Sequence, residues 1–357
     1  MNVNRIKNVL NKAQGIDALL ISDPIAIYYL CGKKVEPGER FLGLLLKRET
    51  KPVLFLNILF PMEETEGLQI AKYADGDDLC ELLSHYIRKD EVLGVDKTLQ
   101  ARFLLPMQRY GLAKEYVDGS LPVDLSRSIK EEGELELLRK SSLINDAAMA
   151  EFKKLIHEGV SEKEVAEQIP AIYKKLGAQD FSFGAIVAFG KNTADPHHMP
   201  DDTIVKEGDA VLFDVGCIYN GYCSDMTRTF FYKHGPNEEQ KKIYDLVRKA
   251  NEEAEASIKA GVRLCDIDKV ARDIITEGGY GKYFTHRLGH FIGIEVHEYG
   301  DVSAAFKDPV QEHNVFSIEP GIYDPETLGC RIEDLVIVTK DGCEVMNHYP
   351  HDIEIID

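Results

Sequence analysis

The segment from Val211 to Phe230 places the strongest constraint on the fold, because it predicts a β-hairpin with two acidic residues on one face. The Asn-Gly pair at 220–221 is the strongest short-range hairpin signal, and it separates two apolar arms. With this pair as the turn, Asp225 lies opposite Gly216, and Asp214 lies two residues further along the same strand. The two carboxylates are then diagonal neighbours, roughly 7–8 Å apart at the backbone. They can therefore meet at one ion, and the small Gly216 is expected to leave room for it.

Two acidic side chains on one face of a hairpin have two explanations. If the face is exposed, the carboxylates only make the surface soluble. If the face is buried, they repel each other and need protons or cations to be stable there. The apolar neighbours Leu212, Phe213 and Phe230 favour the buried alternative.

Further residues that bind metals follow in apolar or glycine-rich surroundings. His290 and His297 bracket such a stretch, and Glu319 and Glu333 lie in or beside strand-like runs. A lone histidine in such a setting is more often a core residue than a ligand. Two Asp, two Glu and one His together nevertheless form an oxygen-rich set with one nitrogen, which favours Mn²⁺, Co²⁺, Fe²⁺ or Zn²⁺ in a two-metal site.

The length of 357 residues and the order of the patterns predict two domains. The first 125 or so residues alternate between strand-like and helix-like runs, which predicts a small α/β domain. A charged stretch at 126–134 has the polarity of a linker, so we place the domains at 1–127 and 128–357; the alternative is one continuous domain with a charged helix face. In the second part, the segment at 159–166 resembles the one at 261–271, which indicates a duplicated α/β half.

The composition indicates which classes of binding partner and which cellular compartment are expected. The net charge of −19 makes nucleic acid an improbable partner, because an acidic surface repels phosphate. The chain has no apolar run of about 18 residues and no apolar leader at its start, so neither a membrane span nor export is expected. The seven cysteines contain no C-x-x-C pair, which argues against a thiolate zinc site or disulfide framework and favours the cytoplasm.

At these residues the chain resembles the pita-bread metallopeptidases, the superfamily of prolidase, aminopeptidase P and methionine aminopeptidase, and it resembles bacterial Xaa-Pro dipeptidases most. The matching stretches, in the order of the family, are 194–197, the Asp214/Asp225 hairpin, 289–290, 296–298, 318–321 and 331–334. The run at 27–32 is similar to the N-terminal domain of the creatinase and prolidase branch. The resemblance implies a mixed α/β (α+β) fold, with a small N-terminal creatinase/prolidase-type domain followed by a pita-bread catalytic domain of two duplicated halves.

The resemblance also implies a role for each matching residue. The five metal ligands would be Asp214 on one metal, Asp225 and Glu333 bridging both, and His290 and Glu319 on the other. Four residues would be catalytic. His197 and His297 would hold the substrate and stabilise the tetrahedral intermediate, Glu319 would shuttle a proton, and Arg331 would orient the site. His198 adjoins His197 but has no role in the family pattern. The cofactor would be two divalent ions, Mn²⁺ first, with Co²⁺ or Zn²⁺ as alternatives.

The activity that the resemblance implies is hydrolysis of the Xaa-Pro bond of dipeptides through a metal-bridging hydroxide. Alternatives are an Xaa-Pro aminopeptidase acting on longer peptides, a creatinase-like amidinohydrolase, and a metal-free pita-bread binding protein. The last two are disfavoured because all five ligand types are present. Relatives commonly dimerise, so a homodimer is expected, with the loop at 32–40 approaching the partner's active site.

Two departures from the family pattern concern this activity. Phe291 follows His290 where the family has glycine, which is expected to put bulk beside a metal ligand. After His297-Glu298, many prolidases continue with an aromatic residue, proline and an arginine that is associated with the carboxylate of a dipeptide. Here the residues are Tyr-Gly-Asp at 299–301. Asp301 would repel that carboxylate, and this keeps the aminopeptidase alternative open.

Overall fold

The alternating runs of the first unit form one mixed sheet with helices around it. The computed structural model describes residues 1–63 and 66–357, and its first unit is Met1–Arg127. Its strands are β1 (Ala18–Ile21), β2 (Gly43–Leu46), β3 (Val53–Asn57), β4 (Gln69–Tyr73), β5 (Val92–Val95) and β6 (Glu115–Asp118). Its helices are α1 (Val3–Lys12), α2 (Pro24–Cys31), α3 (Leu79–Ser84), α4 (Ala101–Tyr110) and α5 (Ser120–Arg127). The strand order is β4-β3-β2-β1-β5-β6, which confirms the predicted α/β character.

One helix of this unit is shorter than its sequence pattern suggests. The pattern predicts a helix near 77–89, but α3 ends at Ser84. Asp78 caps its start by accepting from the backbone N–H of Cys80. Beyond its end the chain turns towards β5, and the Glu91 carboxylate accepts from the backbone N–H of Arg88 and from Lys47 Nζ. These polar contacts stabilise a turn where the apolar pattern alone would continue a helix.

The second unit, Ser128–Asp357, contains four sheets and five helices within the described ranges. The helices are α6 (Glu132–Phe152), α7 (Glu162–Ala166), α8 (Ile169–Lys175), α9 (Glu238–Ser257) and α10 (Leu264–Glu277). The strands are β7 (Asp180–Phe181), β8 (Ile186–Phe189), β9 (Ala210–Val215), β10 (Cys217–Tyr219), β11 (Tyr222–Cys223), β12 (Met226–Tyr232), β13 (Gly289–Phe291), β14 (Glu298–Val302), β15 (Val315–Ile318), β16 (Gly321–Asp324), β17 (Leu328–Arg331), β18 (Asp334–Val338), β19 (Cys343–Val345) and β20 (Ile355–Ile356).

Among the described residues, the sheets of this unit pack into three hydrophobic clusters, the smallest of which joins α6 to β15 and β18. One sheet has the order β20-β12-β9-β8 and a second has the order β14-β13-β15-β18-β19; β11-β10-β7 and β16-β17 are smaller. One of the two larger clusters joins α6 and α8 to β9 through Phe152, Tyr173 and Phe213. The other joins α9 and α10 to β15 through residues that include Val247 and Phe316. None of the helices in the described ranges combines the length and apolar character needed to cross a bilayer.

The repeat seen in the sequence corresponds to a repeated local structure. Gly159 and Gly261 both adopt positive φ, 83° and 91°, a conformation that glycine tolerates best. Each is followed by an isolated antiparallel bridge, Ser161 with Ile204 in the first copy and Arg263 with Pro309 in the second. Each bridge leads into a helix, α7 or α10. The Ser-Glu-Lys-Glu sequence at 161–164 predicts a capping box, and it is present at the start of α7, where Ser161 and Glu164 bond reciprocally.

The predicted hairpin register is confirmed. Tyr219 pairs with Tyr222 next to the turn, and Thr227 pairs with Asp214 further along, as the Asn-Gly turn requires. The turn residues at 220 and 221 both have positive φ. Gly216 has a different function from the expected one, because a Cβ there would lie 2.0 Å from the carbonyl oxygen of Ser224. Glycine therefore permits a close backbone approach rather than leaving room for an ion.

Candidate active site

The second unit contains a cavity of about 640 Å³ that brings the residues singled out from the sequence to one place. All eight lie on its wall: His197, Asp214, Asp225, His290, His297, Glu319, Arg331 and Glu333. Ser182, Phe183, Ile186 and Val296 add hydroxyl and apolar surface. A polar floor beside apolar walls is typical of a site for a small organic substrate.

Six strands position the carboxylates and the imidazole, which lie in these strands or directly beside their ends. Asp214 lies near the end of β9, and Asp225 immediately precedes β12. His290 is the central residue of β13. Glu319 follows the last residue of β15, and Glu333 lies between β17 and β18. Because strand backbones are held by their ladders, these side chains converge with little freedom to move apart.

The donor atoms are close enough to share a cation. One ligand atom each from Asp225, His290 and Glu333 fall within 4.8 Å of one another, and all three residues are buried. Oδ1 of Asp214 and Oδ1 of Asp225 are buried without a hydrogen-bond partner in the described part of the chain. Glu319 Oε1 lies 3.4 Å from His290 Nε2. Buried carboxylate oxygens with free lone pairs are costly unless a cation or proton is present, so this donor set fits divalent metal ions.

The protonation behaviour of the cluster follows from its burial. Burial raises the pKa of Asp225, and the adjacent Asp214 raises it further. Burial and the Asp225 carboxylate likewise raise the pKa of Glu333. Burial raises the pKa of Glu319 to about 7 and lowers the pKa of His290. The imidazole is therefore neutral with an available lone pair, and cation binding would compete with protons at the carboxylates.

Arg331 orients two of the carboxylates. Its Nη2 donates to Asp214 Oδ2 at 2.5 Å, and its Nε donates to Thr227 Oγ1 at 3.1 Å. Thr227 Oγ1 in turn donates to Glu333 Oε2 at 2.7 Å. Ser317 Oγ plays a similar part on the other side, since it donates to Glu319 Oε1 at 3.1 Å.

His286 and Tyr323 are site residues that the sequence analysis missed. His286 Nδ1 lies 2.6 Å from the carbonyl oxygen of Arg287, so Nδ1 carries the hydrogen and Nε2 accepts from Tyr323 Oη at 2.8 Å. Arg331 Nη1 then donates to Tyr323 Oη at 2.7 Å. Burial and the Arg331 charge lower the pKa of His286 to about 3, which keeps it neutral. His286 lies in the conspicuous run at 285–298, but nothing in its spacing distinguishes it.

Two histidines remain accessible on the cavity wall. His197 and His297 are both exposed. The His297 ring packs edge-to-face on His290, with centroids 4.2 Å apart. Partial burial of the ring against the cavity wall, together with the neighbouring His290 and Arg287, lowers the pKa of His297 to about 4. A neutral imidazole in this position can donate one hydrogen bond to a bound molecule.

The two departures from the family pattern compensate each other. The expectation that Phe291 adds bulk beside His290 in the site is wrong, because the Phe291 ring packs on Phe316 in the hydrophobic core. A Cβ on Gly300 would lie 2.5 Å from the Phe291 ring. The missing side chain at 300 therefore makes space for the added ring at 291. Asp301 is paired with the Arg287 guanidinium, a group that also lines the cavity.

We expect Gly300→Ala to destabilise the protein by about 1–3 kcal/mol, because overpacking against Phe291 adds to the strain of φ +126°. Urea unfolding followed by circular dichroism would measure this loss. Gly133→Ala is the matched control, since it lies in α6 and its Cβ would meet no atom within 4 Å. Equal stabilities of the two variants would contradict the packing argument.

Comparison with known proteins covers both units. A model of metallopeptidase family M24 matches residues 136–340, and one of the creatinase/prolidase N-terminal domain matches residues 4–131. An uncharacterized peptidase of Staphylococcus epidermidis is 39% identical over 97% of this chain and 99% of its own length. A prolidase from Pyrococcus horikoshii superposes with a TM-score of 0.88 at 32% identity, covering 98% of this chain and 99% of that chain. An X-Pro aminopeptidase from Thermotoga maritima superposes with a TM-score of 0.84 at 30% identity, covering 97% and 99%.

Proposed function

The chain belongs to metallopeptidase family M24 and is a hydrolase of the prolidase and Xaa-Pro peptidase type, and on that premise we propose that it cleaves the Xaa-Pro bond of dipeptides with two divalent cations, Mn²⁺ first. The predicted creatinase-type domain followed by a pita-bread domain is confirmed by both family models and by the superposed prolidase. The observation that carries the proposal is the convergence of the ligand atoms of Asp225, His290 and Glu333 within 4.8 Å on a cavity wall.

The donor set would hold the cations through the residues that the family pattern matches. Asp214, Asp225, His290, Glu319 and Glu333 would together hold the two cations. Such cations lower the pKa of water to near 7 and polarise a carbonyl group. Arg331 and Thr227 hold the Asp214 and Glu333 carboxylates in fixed orientations, so the donor set needs little rearrangement before it binds.

The remaining steps fall to side chains of this chain. Glu319 would accept a proton from the attacking water and return it to the leaving nitrogen, because its carboxylate reaches the same wall as the ligand cluster. The exposed imidazole of His297 would donate to the oxygen on which negative charge develops. His197 would hold the substrate from another part of the wall. A peptide bond to proline has no N–H, so its recognition depends on shape, which the apolar wall residues Phe183, Ile186 and Val296 can provide.

The test is hydrolysis of Ala-Pro and Ala-Pro-Gly-Gly by chelator-stripped enzyme, with and without added Mn²⁺. We expect Mn²⁺-dependent cleavage of Ala-Pro and little cleavage of the tetrapeptide. Ala-Ala is the matched control substrate, because it has the same charges but an ordinary secondary amide. Parallel additions of Co²⁺ and Zn²⁺, with metal content measured, would identify the preferred ion.

The other outcomes are informative in different ways. Cleavage of the tetrapeptide in preference to Ala-Pro would make the chain an Xaa-Pro aminopeptidase, the activity in the name of the Thermotoga protein. Failure to cleave either substrate with two ions bound would refute the proposed activity. The predicted homodimer, cytoplasmic location and lack of nucleic-acid binding remain predictions; full activity in a monomer would refute the suggested contribution of the 32–40 loop.

A further inference from the structure

The segment that carries His197 is tied to the protein by its neighbour. His198 Nε2 lies 2.6 Å from Glu162 Oε2, and His198 itself is largely buried. The backbone N–H groups of His197 and His198 bond to the side chain and the carbonyl oxygen of Asp195, respectively. His197 thus projects from a tight turn whose one side-chain anchor beyond the turn, among the described contacts, is the imidazole of His198.

Glu162 is the centre of this anchor. It is fully buried at the start of α7, and its two oxygens accept four hydrogen bonds. Oε1 accepts from the backbone N–H of Phe189 at 2.7 Å and from Asn192 Nδ2 at 3.0 Å. Oε2 accepts from His198 Nε2 and from the backbone N–H of Asp201 at 3.2 Å. The carboxylate therefore joins α7, β8 and both sides of the His197 segment.

A metal ion is the competing explanation for this cluster, since ligand atoms of Glu162, His198 and Asp201 lie within 4.8 Å of one another. The contacts argue against it. A cation would have to displace N–H donors that already fill the Glu162 oxygens, and Asp201 Oδ1 accepts from the backbone N–H of Thr203 at 2.7 Å. The geometry is that of a saturated hydrogen-bond anchor.

We propose that the Glu162–His198 hydrogen bond is a positioning device that fixes His197 on the cavity wall for contact with the substrate. This rests on the proposed function for the role of His197. His198 is a positioning residue in this scheme, because it does not line the cavity and acts only through its neighbour. Misplacement of a contacting group by about 1 Å can lower a rate by about 100-fold, so a distant hydrogen bond can matter greatly.

The kinetic test is a double-mutant cycle on Ala-Pro hydrolysis. We expect His198→Ala to lower kcat/KM by about 10- to 100-fold, and His198→Gln, which retains an N–H donor of similar reach, to restore most of the activity. Met199→Ala is the control, because this neighbour is 76% exposed, and it should match the parent protein. In a His197→Ala background, His198→Ala should cause little further loss. An equal loss in both backgrounds would overturn the proposal, because it would show that the effect of His198 does not depend on the His197 side chain.

A second readout does not depend on hydrolysis. Among the eleven histidines, the His197 signal can be assigned in ¹³C-histidine-labelled protein by its disappearance in His197→Ala. We expect His198→Ala to shift and sharpen this signal, whereas His198→Gln and Met199→Ala leave it in place.

An unchanged signal in His198→Ala would refute the anchor even if the parent enzyme is active. A shifted signal in a parent protein that lacks peptidase activity would support the anchor and refute only the proposed function. The last control uses an Asp225→Asn, His290→Ala protein, in which the proposed main cation cluster is disrupted. If added Mn²⁺ changes the His197 signal of this protein, an ion binds at Glu162, and the proposal is overturned.

Discussion

We expect Asp225→Asn to make the chelator-stripped protein more stable while it removes activity. Asp225 is 4% exposed, and burial and the adjacent Asp214 raise its pKa. An amide of the same shape has no charge to repel Asp214, so the variant should unfold at a temperature higher by about 2–4 °C for each kcal/mol gained. Its hydrolysis of Ala-Pro should fall by at least about 100-fold, because one of the proposed metal ligands is lost.

The sign of the pH dependence makes this prediction specific. A carboxyl group whose pKa is higher in the folded than in the unfolded state stabilises the protein most below the unfolded value. That contribution is lost as the pH rises towards the folded value. The stability advantage of Asp225→Asn should therefore be small near pH 4 and largest at neutral pH and above. Differential scanning calorimetry across this range would measure it.

The controls separate charge removal from other effects of the substitution. Asp202→Asn removes an exposed carboxylate outside the cavity and should change neither stability nor activity measurably. Added Mn²⁺ should raise the unfolding temperature of the parent protein, because a ligand that binds only the folded state stabilises it, and should affect the variant much less. A stripped variant less stable than the parent at neutral pH would show that Asp225 is not strained by its neighbours.

Local signals in the sequence were sufficient for the hairpin and for the acidic and histidine residues at 214, 225, 290, 297, 319 and 333, whereas His197 and Arg331 were identified only by the family resemblance. Two turn residues determine which positions pair, so the register that brings Asp214 and Asp225 to one face follows from strand geometry alone. The same register places Thr227 opposite Asp214, so Thr227 could also have been recognised as part of the site. The shared location of the eight predicted residues is now visible, whereas their individual roles remain predictions.

Contacts between segments that are distant along the chain could not be predicted from the sequence. Phe291 was predicted to crowd a ligand because its partner, Gly300, can be identified only from the packing of β13 on β14. The Arg287–Asp301 pair likewise depends on that packing. Tyr323 reaches His286 through a side-chain contact across 37 positions, which no periodicity encodes.

We expect Arg228→Met to cause the largest loss of stability of the variants described here. Arg228 is 1% exposed and donates to Asp334 Oδ1 at 2.7 Å, and to the carbonyl oxygens of Glu333 and Tyr349, each at 2.7 Å. Although burial opposes ionisation, Arg228 and His351 lower the pKa of Asp334, so its carboxylate is charged. Removing the guanidinium alone should cost about 3–5 kcal/mol, because a buried charge and several carbonyl groups lose their partner. Urea unfolding would measure the loss.

A second substitution tests whether the unpaired charge causes that loss. Asp334→Asn in the Arg228→Met background should recover part of the stability, since it removes the buried charge that Met cannot balance. Arg248→Met is the matched control: Arg248 also pairs with an acidic residue, Asp352, but it is partly exposed, so the loss should be below about 1 kcal/mol. If the double variant is no more stable than Arg228→Met, the bonds to the carbonyl oxygens dominate. Because one of those carbonyls belongs to Glu333, that result would make Arg228 a support of the Glu333 backbone more than a counter-ion of Asp334.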